Sequence, residues 1–127
     1  MGTRSLTFVY DGDVPVINIY RQYDGYPSGH GHELAQFLDS KTLVNGYGEQ
    51  NSVEANGMGC LAAQLIVQLK HGVGGIYIYP VSSTDCWQDY EYHVYEDKVI
   101  VKDPTAVIFE GTWEEFAQFC LDPISAE

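Results

Sequence analysis

The residues with the most chemistry for their length lie between Tyr20 and His32. They are Tyr20, Arg21, Tyr23, Asp24, Tyr26, His30 and His32, set among the turn pairs Asp24-Gly25 and Tyr26-Pro27 and the string Gly29-His30-Gly31. Arginine can fork a phosphate or carboxylate, and a tyrosine ring can stack on a flat heterocycle. A second glycine string, Gly57-Met58-Gly59, follows Asn56 and opens an apolar stretch. Glycine lets an anion approach the free N–H groups of a helix start, where the helix dipole also favours negative charge. Together the two strings predict a pocket for a small anionic or nucleotide-like ligand, built from Tyr20, Arg21, Tyr23, Asp24, Tyr26, His30, His32, Asn56, Gly57 and Gly59. The plainer reading assigns the glycines to tight turns and close helix–sheet packing, and the tyrosines to one edge of the core. Neither string matches a phosphate loop or a dinucleotide fingerprint, and no cofactor is called for.

Three other chemistries compete. His30-x-His32-Glu33 could present two imidazoles to one metal ion, but no second ligand pair at a characteristic spacing completes it, so two exposed loop histidines are expected instead. Cys60, near a helix start, could act as a nucleophile with His30 or His32 as its base, which would make a small hydrolase; a cysteine there is also a common small hydrophobe. The third is an aromatic and acidic surface. Asp85, Trp87, Asp89, Tyr90, Glu91 and Tyr92, with Tyr77 and Tyr79 from a neighbouring strand, suit a patch that binds a basic protein groove by imitating the charge of DNA. Ordinary cross-strand aromatic packing is the alternative for the same residues.

The elements that must position these groups follow from periodicity. Ser5 to Tyr10 and Val14 to Tyr20 alternate as two strands of a hairpin around Asp11-Gly12-Asp13. A short helix is expected from about His32 to Leu38, and a polar loop over Lys41 to Asn56. Met58 to Lys70 is the strongest helix: Met58, Leu61, Ala62, Leu65 and Leu69 share a face, and only Gln64 and Gln68 make a polar stripe, which predicts a buried central helix stopped at His71-Gly72. Gly75 to Val81, Tyr90 to Tyr95, Val99 to Lys102 and Thr105 to Phe109 read as strands. Thr112-Trp113-Glu114-Glu115 is a capping box that opens a C-terminal helix ending near Cys120. Hairpins joined to helices without β-α-β spacing predict a single α+β domain over residues 1–127. Its sheet of five or six strands is mainly antiparallel, with a buried central helix, a short helix after the second strand and a C-terminal helix.

With these motifs in view, the chain resembles a family of small proteins found in phages, prophages and bacteria. The likeness rests on the opening Met1-Gly2-Thr3-Arg4-Ser5-Leu6-Thr7, the Tyr20–Gly31 string, Asn56-Gly57-Met58-Gly59-Cys60-Leu61-Ala62-Ala63-Gln64 and the closing Gly111-Thr112-Trp113-Glu114-Glu115-Phe116. It covers most of the chain. It implies a stand-alone small domain of viral type, and it assigns no reaction and no catalytic residue.

Composition narrows the partners. The chain has 127 residues, 45% hydrophobic, enough for one core. Eighteen acids face six bases, a net charge of −12. Asp85 to Glu127 holds 11 acids and two lysines (−9), against seven acids and four bases (−3) in residues 1–84. Binding to a nucleic-acid backbone needs clustered Lys and Arg, so nucleic acid is excluded as a partner. A small anionic ligand or a cationic host protein remains, and a pocket shared between subunits of a homo-oligomer is compatible with either. Three cysteines at no ligand-like spacing, without a signal peptide or a membrane-length apolar run, predict free thiols in a cytoplasmic setting, the host's if the chain is viral.

Overall fold

The computed structural model describes residues 2–46 and 53–121. Strands β1 (Ser5–Asp11) and β2 (Val14–Arg21) form the expected hairpin. Its register slips between Val9 and Tyr10, opposite Pro15, which has no N–H to give to the ladder. A turn of π-helix (Pro27–Gly31) leads directly into α1 (His32–Asp39). Helix α2 (Gly57–Leu69) returns the chain to strand β5 (Ile76–Tyr79), after the short strands β3 (Thr42–Val44) and β4 (Glu54–Asn56). Strands β6 (Tyr90–Val94), β7 (Val99–Lys102) and β8 (Val107–Gly111) and helix α3 (Trp113–Leu121) complete the chain.

The main sheet has six strands in the order β5-β2-β1-β6-β7-β8. Every neighbouring pair is antiparallel except β1–β6, which runs parallel from Ser5↔Tyr90 to Val9↔Val94. This is the α+β architecture that the sequence pattern predicts. Alternation sorts the strand residues. Val9, Ile19, Ile76, Tyr92, Val94 and Val101 face the three helices and make the main core with Leu34, Leu65 and Phe116. Leu6, Phe8 and Tyr20 form a smaller cluster on the opposite face, where Tyr79 and Cys86 pack against them. Among the described residues no helix is long and apolar enough to cross a membrane.

Two expectations change. The loop expected over Lys41 to Asn56 holds β3 and β4, paired in parallel, because Leu43 packs against the core and Ala55 is fully buried there; positions 47–52 of that loop lie outside the described residues. The strand expected at Thr105 starts two residues later. The Asp103 carboxylate accepts from Thr105 N, Thr105 Oγ1 and Ala106 N, which bends those residues into a turn. Helix α2 buries the predicted face, Met58, Leu61, Ala62, Leu65 and Leu69, and leaves Val67 78% exposed on the other side. The capping box forms as read: Glu115 N donates to Thr112 Oγ1 at 3.1 Å, and Thr112 N donates to Glu115 Oε1 at 2.8 Å.

Candidate functional site

Arg21 ends β2 at the rim of a cleft of about 500 Å³. One wall is α1, with Glu33, Gln36, Phe37 and Ser40. Another is the end of α2 with Gln68, Leu69 and His71, and the third is Tyr23 with Gly74, Gly75 and Ile76. The Gly74-Gly75 wall needs left-handed backbone, φ +77° and +78°, and Lys70 Nζ ties it down by donating to Gly74 O (3.0 Å) and Ile76 O (2.8 Å).

The guanidinium of Arg21 is held from behind. Nε donates to Tyr23 O at 2.9 Å, and Nη1 donates to His30 Nδ1 at 3.2 Å. Guanidinium can only donate, so Nδ1 of His30 carries no proton, and Nε2–H donates to Thr7 Oγ1 at 2.7 Å. His30 is fully buried. Burial first, and the Arg21 charge second, depress its pKa from the ordinary 6.5 to about 3, so the ring is neutral. On the open side, Nη2 of Arg21 donates to Glu33 Oε1 at 3.1 Å, and the Glu33 side chain is 48% exposed. Arginine has five N–H donors and these contacts use three, leaving one each on Nη1 and Nη2.

The glycine string serves packing. Gly29 N and Gly31 N donate to Tyr26 O, and His30 N donates to Asp24 O, so none of the three is free for an anion. A Cβ on Gly29 would sit 2.6 Å from Asp24 O, and one on Gly25 would sit 2.8 Å from Ser5 Cβ. Gly25 allows the turn to approach β1, and Gly29 allows the turn to close on its own Asp24 and Tyr26.

The predicted pocket residues therefore separate into groups. Arg21 and Tyr23 line the cleft. His30 stands behind Arg21 and reaches no ligand. Both its nitrogens are taken, which also prevents it from sharing a metal with His32. Asp24 and Tyr26 are exposed beside the turn and bond each other at 3.4 Å, and His32 begins α1 half-buried. Tyr20 lies on the far face of the sheet, stacked on Tyr79 at 4.8 Å. Asn56 and Gly57 line a different cleft, together with Asp11 and Glu96, whose carboxylates oppose an anion. Gly57 is twelve residues from Leu69, about 18 Å along the axis of α2. Gly59 and Cys60 sit in the same first turn, and His30, with both ring nitrogens bonded to Thr7 and Arg21, has none left to act as a base for Cys60. Glu33, Gln36, Gln68 and His71 are cleft residues that the sequence pattern does not single out as ligand-binding; the Gln64/Gln68 stripe on an otherwise apolar helix is the available signal for Gln68.

The acidic group also divides. Asp85, Trp87 and Asp89 are exposed, and Glu91 is half-buried, bonded to His93 and to Gln88. The hydrogen bond from His93 lowers the Glu91 pKa. Tyr92 is fully buried, donates to Gly25 O at 2.7 Å and meets His30 and Phe116 edge-on, so it belongs to the core. Tyr90 packs against the same core. Tyr77 and Tyr79 lie on the opposite face with Tyr20, so the tyrosines make no single patch. The aromatic column that does form is Phe8, His93, Tyr10 and Tyr95, with Tyr10 and Tyr95 stacked at 4.3 Å. Among the described residues no group of three or more His, Cys, Asp or Glu side chains is arranged to hold a metal ion. Comparison with protein-family models, curated proteins and solved structures found no match to this chain.

Proposed function

We propose that this chain is a non-catalytic binding protein that captures a small anionic, nucleotide-like ligand in the cleft between α1, the end of α2 and β5. One observation carries the reading: Arg21 is fixed by two protein acceptors, the Tyr23 carbonyl and the buried His30 ring, while an exposed and replaceable carboxylate, Glu33, occupies its open side. An incoming phosphate or carboxylate takes the place of Glu33 and gains the two remaining Arg21 donors. The Arg21 side chain is 11% exposed and that of Glu33 48% exposed, so the carboxylate that gives way is the solvated partner, and the incoming anion keeps the Arg21 charge paired. The Tyr23 ring, 52% exposed, offers a stacking surface, and Gln36, Gln68 and Ser40 offer donors and acceptors to a polar ring edge. In a phage-type setting such capture would sequester a host defence signal in the host cytoplasm.

The test is native mass spectrometry of protein purified gently from its host. The expected result is a retained compound of fixed mass, absent from Arg21→Ala. A ligand-free wild-type spectrum, or a compound kept by Arg21→Ala, would reject the reading. The same spectrum counts subunits.

A further inference from the structure

Trp87 is 83% exposed, the most exposed aromatic side chain among the described residues. It is not on a loose strand end. Asn18 Nδ2, from the sheet, donates to Pro80 O (3.1 Å) and Ser83 O (2.9 Å). Gln88 accepts from Cys86 N and donates to Thr84 O and Glu91 Oε2. Asp89 N donates to Arg4 O, and Arg4 N donates back to Asp89 Oδ2. Cys86 packs into the Leu6–Phe8–Tyr20 cluster. The loop is therefore anchored on both sides of an indole that touches almost nothing. Beside it opens a cleft of about 240 Å³ lined by Asp85, Asp89, Glu91 and Asp103, with Lys102 the one base.

We propose that this loop is a docking knob for a cationic protein segment: Trp87 covers an apolar or guanidinium surface of the partner, and an adjacent arginine or lysine enters the acidic cleft. A rigid exposed aromatic is the usual energetic centre of a protein interface, and a loop fixed beforehand loses little entropy on binding. The charge selects the occupant. Four carboxylates against one lysine line this cleft on a chain of net charge −12, which repels nucleic acid, an anionic membrane surface and a second copy of this chain alike, and attracts a basic protein. This surface is separate from the Arg21 cleft, and either can fail without the other.

The probe is a synthetic peptide of alternating arginine and leucine, titrated into the full chain at low and physiological salt. Binding is followed by backbone amide shifts and by tryptophan fluorescence. Shifts confined to residues 84–91 and 102–103, with binding weakened about tenfold or more by Trp87→Ala and several-fold by Asp85→Asn and unchanged in Glu114→Gln, are the expected result. Trp87→Ala removes a solvent-facing side chain, and a circular-dichroism spectrum unchanged from wild type checks its fold. Three results would each overturn the proposal: absence of binding, shifts spread evenly over Glu96, Asp97, Glu110 and Glu114, or equal affinity in Trp87→Ala. Concentration-dependent shifts without peptide would give the face to a second copy and overturn it too.

Discussion

The neutral, buried state of His30 makes stability fall with acid in a defined window. In the folded chain its pKa is depressed to about 3; unfolded, it returns to the ordinary 6.5. Between those values the unfolded chain binds a proton that the folded chain refuses. Stability is therefore fully present above the unfolded value and is lost as pH falls toward the folded one. From pH 7 to pH 5, at about 1.4 kcal/mol for each pH step below 6.5, the loss is about 2 kcal/mol. The assay is urea unfolding of wild type and His30→Gln at both pH values. The substitution itself costs about 1–3 kcal/mol at pH 7, because it disturbs acceptors and donors buried behind Arg21. The gap between the two proteins should then close by about 2 kcal/mol at pH 5. Relief of the −12 net charge and the titration of Glu91 act on both proteins and cancel in the difference. A gap that does not change with pH would refute the neutral, doubly bonded histidine.

Other consequences are simpler to check. Glu33→Gln removes the carboxylate that competes for Arg21, so affinity for inorganic phosphate, followed by amide shifts, should rise several-fold, whereas Arg21→Ala should abolish it. Thr112→Ala should lower stability by about 1 kcal/mol in thermal unfolding, through the loss of one half of the capping box. Tyr92→Phe leaves Gly25 O without its donor in the core and should cost about 1–3 kcal/mol in the same assay. The Cys120 thiol is buried and its pKa is pushed up to about 12, so iodoacetamide should label half-exposed Cys60 in the native protein and spare Cys120 until unfolding, as read by mass spectrometry.

Much of the architecture is legible because the period-2 and period-3.6 patterns agree with local turn chemistry. The β1–β2 hairpin, the buried face of α2 and the capping box all follow from residues close in sequence. The parallel β1–β6 pairing does not, since nothing local to Ser5 or Tyr90 encodes a partner 85 residues away (90 − 5). The site is half legible for the same reason. Arg21 and Tyr23 are marked by type, but their cleft is closed by Gln68 and His71 from the end of α2. Two glycine-rich helix starts look alike in sequence. In space one is a packed turn with its N–H groups spent, and the other lies at the opposite end of α2 beside Asp11 and Glu96. Tyr20 and Tyr92 fall outside their expected sites for want of a face assignment, which alternation alone leaves open until the strand's neighbours are known.

The parallel seam at the centre of the sheet also orders events in time. Strand β1 and its hairpin partner β2 are made before β6, so the other edge of β1 waits for Tyr90 to Val94. During synthesis the hairpin therefore carries an open strand edge, with Leu6, Phe8 and Val9 along it, while most of the rest of the chain is produced. Closing that seam brings together segments far apart along the polymer, so its loop-closure entropy exceeds that of any local turn. A ribosome that stalls before residue 90 would hold out an unpaired, apolar template.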